Sequence, residues 1–301
     1  MDILPQQPSQ ATKILQFLVQ KGIIRRGQSW ILKILPESFW GGPSLEISTK
    51  LGPMCVPVAE RSASCIICRQ TIQETQESNL IAHLVKEMEM DVVIDIGSHM
   101  GWYARLAANV NPKVQVFAFE PDPLNFAYVE YNLKNIPNAE CFLSGVGEAA
   151  GNGYLWKGTT SNLNSTVRKV GTPLPINIIS LDALFKERKL EKIDLIKCDT
   201  EGGELAVLKG ASEVFKLENP PIWMLEVDEE FAEEAGYSIE DWVGIFQRSD
   251  QNYKTFSQKK NGVPFEIKKL KDRVNGNNVF FVPECRLESF EKASSLFQNS
   301  L

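Results

Sequence analysis

The 301-residue sequence predicts an α/β fold. The expected architecture is a doubly wound, mostly parallel sheet with a C-terminal antiparallel hairpin and an N-terminal helical and β extension. Three observations predict it. From residue 91 onward, short apolar runs alternate with stretches of helical period, the pattern of repeated βαβ units. The first two runs end in acidic residues, Asp95 and Glu120, near strand carboxyl ends, where such sheets bind ligands. The last three runs, Tyr253–Ser257, Phe265–Leu270 and Val279–Val282, follow one another without intervening helices.

The elements are justified in order. Residues 11–21 place Ile14, Leu15, Phe17 and Leu18 at helical spacing, and Gly22 ends the run. A second apolar-basic segment runs from Ile23 through Trp30, Ile31, Leu32, Ile34 and Leu35 to Pro36. Lys13, Lys21, Arg25, Arg26 and Lys33 fall between Ile3 and Pro36, with no acidic residue among them. The two segments read as short amphipathic helices capping the main domain; peripheral membrane contact through residues 11–36 is the alternative. Residues 37–70 carry Gly41-Gly42-Pro43, Gly52-Pro53 and β-branched runs, giving small strands and turns. Cys65 and Cys68 form a C-x-x-C without a second pair or a histidine at zinc spacing, and read as buried strand cysteines.

A helix is expected over 79–88. Strand Asp91–Ile96 follows, then a glycine loop and a helix to about Val110. Strand Val114–Phe119, helix 122–134 and a strand near Glu140–Leu143 come next. Later strands lie at 176–179, 193–198 and 222–227, with helices at 203–215 and 238–249. The chain thus divides into an extension (1–75), a main domain (76–285) and a tail (286–301).

Composition narrows the function. With 32 basic against 38 acidic residues, the chain lacks the cationic field of a nucleic-acid binder. A hydrophobic content of 43% excludes global disorder. No apolar run reaches the roughly 18 residues of a membrane-spanning helix. Asp2 and the broken apolar runs do not match a signal peptide. Six cysteines in a chain of this size read as reduced thiols, so the expected location is cytoplasmic, with membrane association as an addition. No pattern fixes an oligomeric state.

The first site motif is Asp95-Ile96-Gly97-Ser98-His99-Met100-Gly101. Its glycines let the backbone approach a ligand closely, and the following helix start offers free N–H groups. Glu120, after the next strand, can accept hydrogen bonds from both hydroxyls of a ribose. A dinucleotide site prefers G-x-G-x-x-G, which is absent, and Asp95 would repel a pyrophosphate. The same carboxylate can hold the ammonium of a methionine moiety, which favours S-adenosylmethionine.

These motifs resemble the FkbM family of S-adenosylmethionine-dependent methyltransferases. Asp95–Gly101 is similar to that family's D-x-G-A-N-x-G. Phe119-Glu120-Pro121-Asp122-Pro123 with Asn132 resembles F-E-P-x-P…N. Leu181-Asp182 resembles its L-D, and Asp194–Gly202 its D-L-x-K-x-D-x-E-G, continued by Glu204-Leu205 and Val207–Ala211. Asn278–Pro283 resembles the closing strand. The resemblance covers about residues 75–283. Departures are Ser98 for Ala, His99 for Asn and Gly203 for Ala.

The resemblance implies a Rossmann-like methyltransferase sheet and O-methylation of a hydroxyl on a small molecule, sugar or glycan. It implies that Asp95, Gly97 and Gly101 form the methionine end of the pocket. Glu120 would hold the ribose, with Pro121 and Asp122 near the adenine. Gly147 and Glu148 would close the adenine edge; an exposed surface loop is the alternative for Glu148. Asp199 or Glu201 would act as base, with His99 a competing base but favoured as a pocket-shaping residue. Asp199, Glu201 and Glu226 also form a set that can hold Mg²⁺, but nothing in the sequence demands a metal and none is assigned. Trp102, Tyr103 and Trp156 would line or support the cleft, with core packing as the alternative. A non-catalytic scaffold with this fold is the competing function, and the intact loop, Glu120 and Asp199 argue against it.

Overall fold

The computed structural model describes residues 3–24, 37–58, 60, 63–70, 75–158, 164–169, 171–274 and 276–300. Strands β1 (Ser44–Thr49) and β2 (Gly52–Pro57) form an antiparallel hairpin. The main sheet begins with β3 (Val92–Ile96), β4 (Gln115–Phe119) and β5 (Ala139–Phe142). A small sheet contains β6 (Gly145–Val146), β7 (Gly151–Lys157) and β8 (Thr172–Ile179). The main sheet resumes with β9 (Leu195–Cys198), β10 (Ile222–Glu226), β11 (Tyr253–Gln258), β12 (Pro264–Ile267) and β13 (Asn278–Pro283). Its strand order is β12-β11-β13-β10-β9-β3-β4-β5.

Strands β10, β9, β3, β4 and β5 are parallel. β13 runs antiparallel between β10 and β11, and β11–β12 is the antiparallel edge hairpin. The near-continuous apolar strands have a simple cause: both faces are covered. Val93, Val116, Leu195, Met224 and Phe280 face one core, whereas Ile94, Phe117, Ile196, Trp223 and Phe281 face the other. Aromatic stacking fills the second core, with Phe246 and Phe281 centroids 4.0 Å apart. The chain goes from β3 outward to β4 and β5, then returns to β9 on the other side of β3. This reversal opens the crevice beyond the carboxyl ends of β3, β4 and β9.

The N-terminal segments share the first core. Helix Gln10–Gln20 buries Thr12, Leu15 and Val19, and Gln16 Nε2 donates to the Ile67 carbonyl at 2.7 Å. Trp40, Leu45, Met54 and Ile66 pack in the same cluster as Leu84 and Phe290. Asn132, on helix Pro123–Leu133, joins the hairpin to the site loop. Its Oδ1 accepts from the Cys55 N–H at 2.7 Å, and its Nδ2 donates to the Cys55 and Met100 carbonyls, both at 2.9 Å.

Several expectations need correction. Cys65 and Cys68 lie on helix Ala63–Arg69, not on a strand; Ile66, Ile67 and Cys68 are fully buried there, so packing overrides the β preference of isoleucine. The helix expected over 203–215 is Glu204–Lys209 followed by a 3₁₀ turn at Val214–Lys216. It breaks at Gly210, where a Cβ would lie 2.1 Å from the Gly147 carbonyl oxygen. The strand expected at 176–179 is the end of the longer β8. Residues 286–301, read as a tail, belong largely to helix Glu284–Ser300, which buries Phe290, Ala293 and Phe297. The second amphipathic segment falls mostly on 25–36, outside the described residues. No helix among the described residues is long and apolar enough to cross a membrane.

Asn132→Ala strips side-chain partners from one buried N–H and two carbonyls. It is expected to lower stability by about 2–4 kcal/mol in urea unfolding. A loss below about 0.5 kcal/mol would show that the hairpin is not anchored through Asn132.

Candidate functional site

The site begins where β3 ends. Gly97 has φ 74°, and a Cβ there would lie 1.8 Å from the Asp199 carbonyl oxygen, so the loops after β3 and β9 can touch only through a glycine. His99 has φ 54°. Asparagine and histidine are among the residues that best tolerate this left-handed region, so histidine keeps the loop's conformation at a motif position where asparagine is usual. The His99 N–H donates to Glu120 Oε2 at 2.8 Å, and the Asp122 N–H donates to Glu120 Oε1 at 3.0 Å. Glu120 thereby locks the first loop to the end of β4. Burial pushes its carboxyl up to about 7, against the opposing pull of those backbone donors.

A cavity of about 320 Å³ lies over these strand ends. Glu120, Pro121, Asn125, Ser144 and Val146 line it on the β4 side. His99, Tyr103, Lys197, Asp199, Glu201 and Glu226 line it toward β9 and β10. Trp102 lines it too, whereas Trp156 does not.

Lys197 is the hub of the second half. It is 4% exposed, and its Nζ lies 3.0 Å from the Gly97 carbonyl, 3.3 Å from Asp199 Oδ2 and 3.7 Å from Asp95 Oδ1. Asp95 is buried behind the cavity wall, where its Oδ2 accepts from the Ala104 N–H at 3.1 Å. Burial raises the Asp95 carboxyl, and Lys197 opposes that shift.

Asp199, Glu201 and Glu226 each place a carboxylate oxygen within 4.8 Å of the others. Burial alone would raise Asp199, but the Lys197 ammonium and a hydrogen bond with Glu226 hold it below its ordinary value. Burial, then the Asp199 charge, raises Glu226 well above the carboxylate range and Glu201 to about 9. The negative charge of the cluster therefore rests on Asp199, with Glu201 protonated at neutral pH and Glu226 shifted in the same direction. Glu201 Oε2 is buried without a hydrogen-bond partner among the described residues. The left-handed Glu201-Gly202 turn is braced by Tyr237, whose hydroxyl donates to the Gly202 carbonyl at 2.9 Å. Burial lowers the His99 ring to about 4, so it is neutral at pH 7.

The remaining sequence-predicted residues support the cavity or lie outside its lining. Gly101, with φ 76°, starts helix Trp102–Val110. Asp122 is buried behind the lining; it caps helix Pro123–Leu133, pairs with Lys157 at 3.0 Å and accepts from Asn164 Nδ2 at 2.7 Å. Gly147 and Glu148 do not line the cavity, and Glu148 is exposed. Sequence reasoning passed over Asn164, Thr166 and Arg168. Asn164 and Thr166 line the cavity. Arg168 packs its guanidinium 3.7 Å over the Phe231 ring and pairs with Glu234 at 2.5 Å, beside Gly202.

The Methyltransferase FkbM domain model matches residues 95–255. The chain is 33% identical over 147 residues to the hexuronic acid methyltransferase AglP of Haloferax volcanii, covering 48% of this chain and 59% of that protein. It is 29% identical over 145 residues to the 2-O-methyltransferase NoeI of Sinorhizobium fredii, covering 40% of this chain and 58% of that protein. The chain thus spans about three fifths of the length of each of these relatives.

Lys197→Met leaves Asp95 and Asp199 without their buried cation. It should destabilise the fold by about 3–5 kcal/mol in chemical denaturation. Lys197→Met/Asp95→Asn should recover part of that loss, because the neutral amide removes one uncompensated charge. Equal stability of the single and double variants would contradict the ion-pair account.

Proposed function

Because this chain belongs to the FkbM methyltransferase family, we propose that it transfers a methyl group from S-adenosylmethionine to a hydroxyl of a sugar or glycan. The observation that carries this reading is the division of one cavity by β3. A buried acceptor for a ribose diol, Glu120, stands on one side, and a carboxylate cluster charged by Lys197 stands on the other.

The residues fit the cofactor. Gly97 and the turn at His99 leave room for close backbone approach. Glu120 spends one backbone contact on each oxygen and keeps lone pairs for ribose hydroxyls. Asn125 and Ser144 would contact the nucleoside end, and Asp199 would lie near the sulfonium. When bound, S-adenosylmethionine supplies an electrophilic methyl group. Asp199, kept ionised by Lys197, accepts the proton of the acceptor hydroxyl. Glu201 and Glu226, shifted toward their protonated forms, orient the acceptor oxygens; as the methyl and the proton move, the Asp199 negative charge and the sulfonium positive charge are both lost. His99, neutral and weakly basic, shapes the pocket.

Electrostatics favours a neutral acceptor group. A carboxylate brought beside Asp199 would meet like charge, with Lys197 already engaged. Of the relatives, one acts on a hexuronic acid and the other is a 2-O-methyltransferase. The cluster here suits a hydroxyl better than an acid group. The same three carboxylates would also suit Mg²⁺, a second reading that chelation decides.

S-adenosylmethionine is expected to raise the melting temperature more than NAD at equal concentration; no shift with it or with its demethylated product would sink this reading. Ribose hydrogen bonds favour ionised Glu120, whose value is about 7. Affinity should therefore fall as pH drops from 8 to 6, approaching tenfold per unit at the acid end. Glu120→Gln should bind more weakly with a flat profile, and an unchanged slope in that variant would remove Glu120 from the ribose site. Asp199→Asn should cut kcat by about 10²-fold or more while cofactor affinity changes far less. EDTA should leave wild-type turnover intact; loss restored by Mg²⁺ would assign the carboxylates to a metal.

A further inference from the structure

Helix Gln10–Gln20 has two apolar faces, and among the described residues only one is covered. Thr12, Leu15 and Val19 are buried against the body of the protein. On the opposite side, Ile14 is 59% and Phe17 55% exposed. Lys13 and Lys21 flank them at helical spacing, and Lys21 Nζ lies 5.9 Å from the Phe17 ring centroid. Just past the helix, Ile23 is 66% exposed. Of nine large hydrophobic side chains exposed among the described residues, four lie within residues 4–23. An outer helix face is ordinarily polar, so this concentration asks for a partner.

We propose that this face seats the protein on an anionic lipid bilayer. Ile14, Phe17 and Ile23 would enter the headgroup boundary, with Lys13 and Lys21 against acidic headgroups. Charge selects the occupant. The chain as a whole carries −6, yet no acidic residue occurs between Ile3 and Pro36. The charge of this segment therefore runs against that of the whole chain, and a negatively charged surface is complementary to this face. Single apolar side chains flanked by lysines match interfacial helices, which combine shallow burial with attraction to anionic lipid. Beside the helix end, a cavity of about 280 Å³ is lined by Val19, Gln20, Gly22, Ile24 and Arg69, so apolar and cationic groups adjoin there as well. The inference does not rest on the methyl-transfer reading.

The test is flotation of the full-length protein with phosphatidylcholine vesicles, with and without about one third phosphatidylglycerol. The wild type should float with anionic vesicles and not with neutral ones, and 0.5 M NaCl should reduce the bound fraction. Lys13→Gln/Lys21→Gln should weaken anionic binding roughly tenfold or more. Ile14→Gln/Phe17→Gln should weaken it comparably, with melting temperatures of both variants near wild type because the replaced side chains are exposed. Absence of wild-type flotation on anionic vesicles would overturn the proposal. So would unaltered binding by the Ile14→Gln/Phe17→Gln variant, or a dimer in solution that this variant alone dissolves, which would give the face to a second copy.

Discussion

A lysine with 4% exposure on a central strand is costly to bury, and the architecture around Lys197 answers that cost. Its ammonium is met by the Gly97 carbonyl and by two carboxylates, Asp95 and Asp199. Those partners come from the neighbouring strand β3 and from the end of β9 itself. The ion-pair set therefore holds two loops at one separation. Gly97, whose absent Cβ lets the Asp199 carbonyl approach, is the steric half of the same constraint. Once the two loops are fixed, Glu120 can close the other side by accepting from the His99 and Asp122 N–H groups. Burial of a charge thus becomes the device that keeps Asp199 ionised in the cavity.

The surrounding fold makes this arrangement rigid. Core side chains cover both faces of the parallel strands, so the strand ends have little freedom to shift. The β1–β2 hairpin, outside the family match, is tied through Asn132 to the Met100 carbonyl within the site loop. The N-terminal segments are thus part of the frame that holds the Gly97–Gly101 loop. The helix Gln10–Gln20 uses one face for that packing and leaves the other exposed.

Much of this was legible before any coordinates. Period and strand-end acids predicted the parallel sheet and placed Gly97, Glu120 and Asp199 correctly at its carboxyl edge. The C-terminal antiparallel strands were legible because no helical period separates them. Other features were not local. Cys65 and Cys68 look strand-like because isoleucines surround them, but they lie on a short helix that buries Cys68 and leaves Cys65 partly exposed. Asp95 invites a ligand contact by its position, yet the fold turns it behind the wall toward Lys197. Lys197 carried a readable signal: a lysine between Ile196 and Cys198 on an apolar strand must be paired if the strand is central. Asn164 and Thr166 had no such signal, since the connection between β7 and β8 brings them to the cavity from far along the chain.

The central claim is that a charged Asp199, beside two glutamates shifted toward their protonated forms, accepts a proton from a neutral sugar hydroxyl. Methyl-labelled S-adenosylmethionine offered with paired acceptors, a neutral glycoside and the matching uronide, tests it most directly. The account predicts label appearing as a methyl ether on the neutral sugar, dependent on Asp199. Label appearing as a methyl ester on the uronide, or ether formation undiminished in Asp199→Asn, would contradict it.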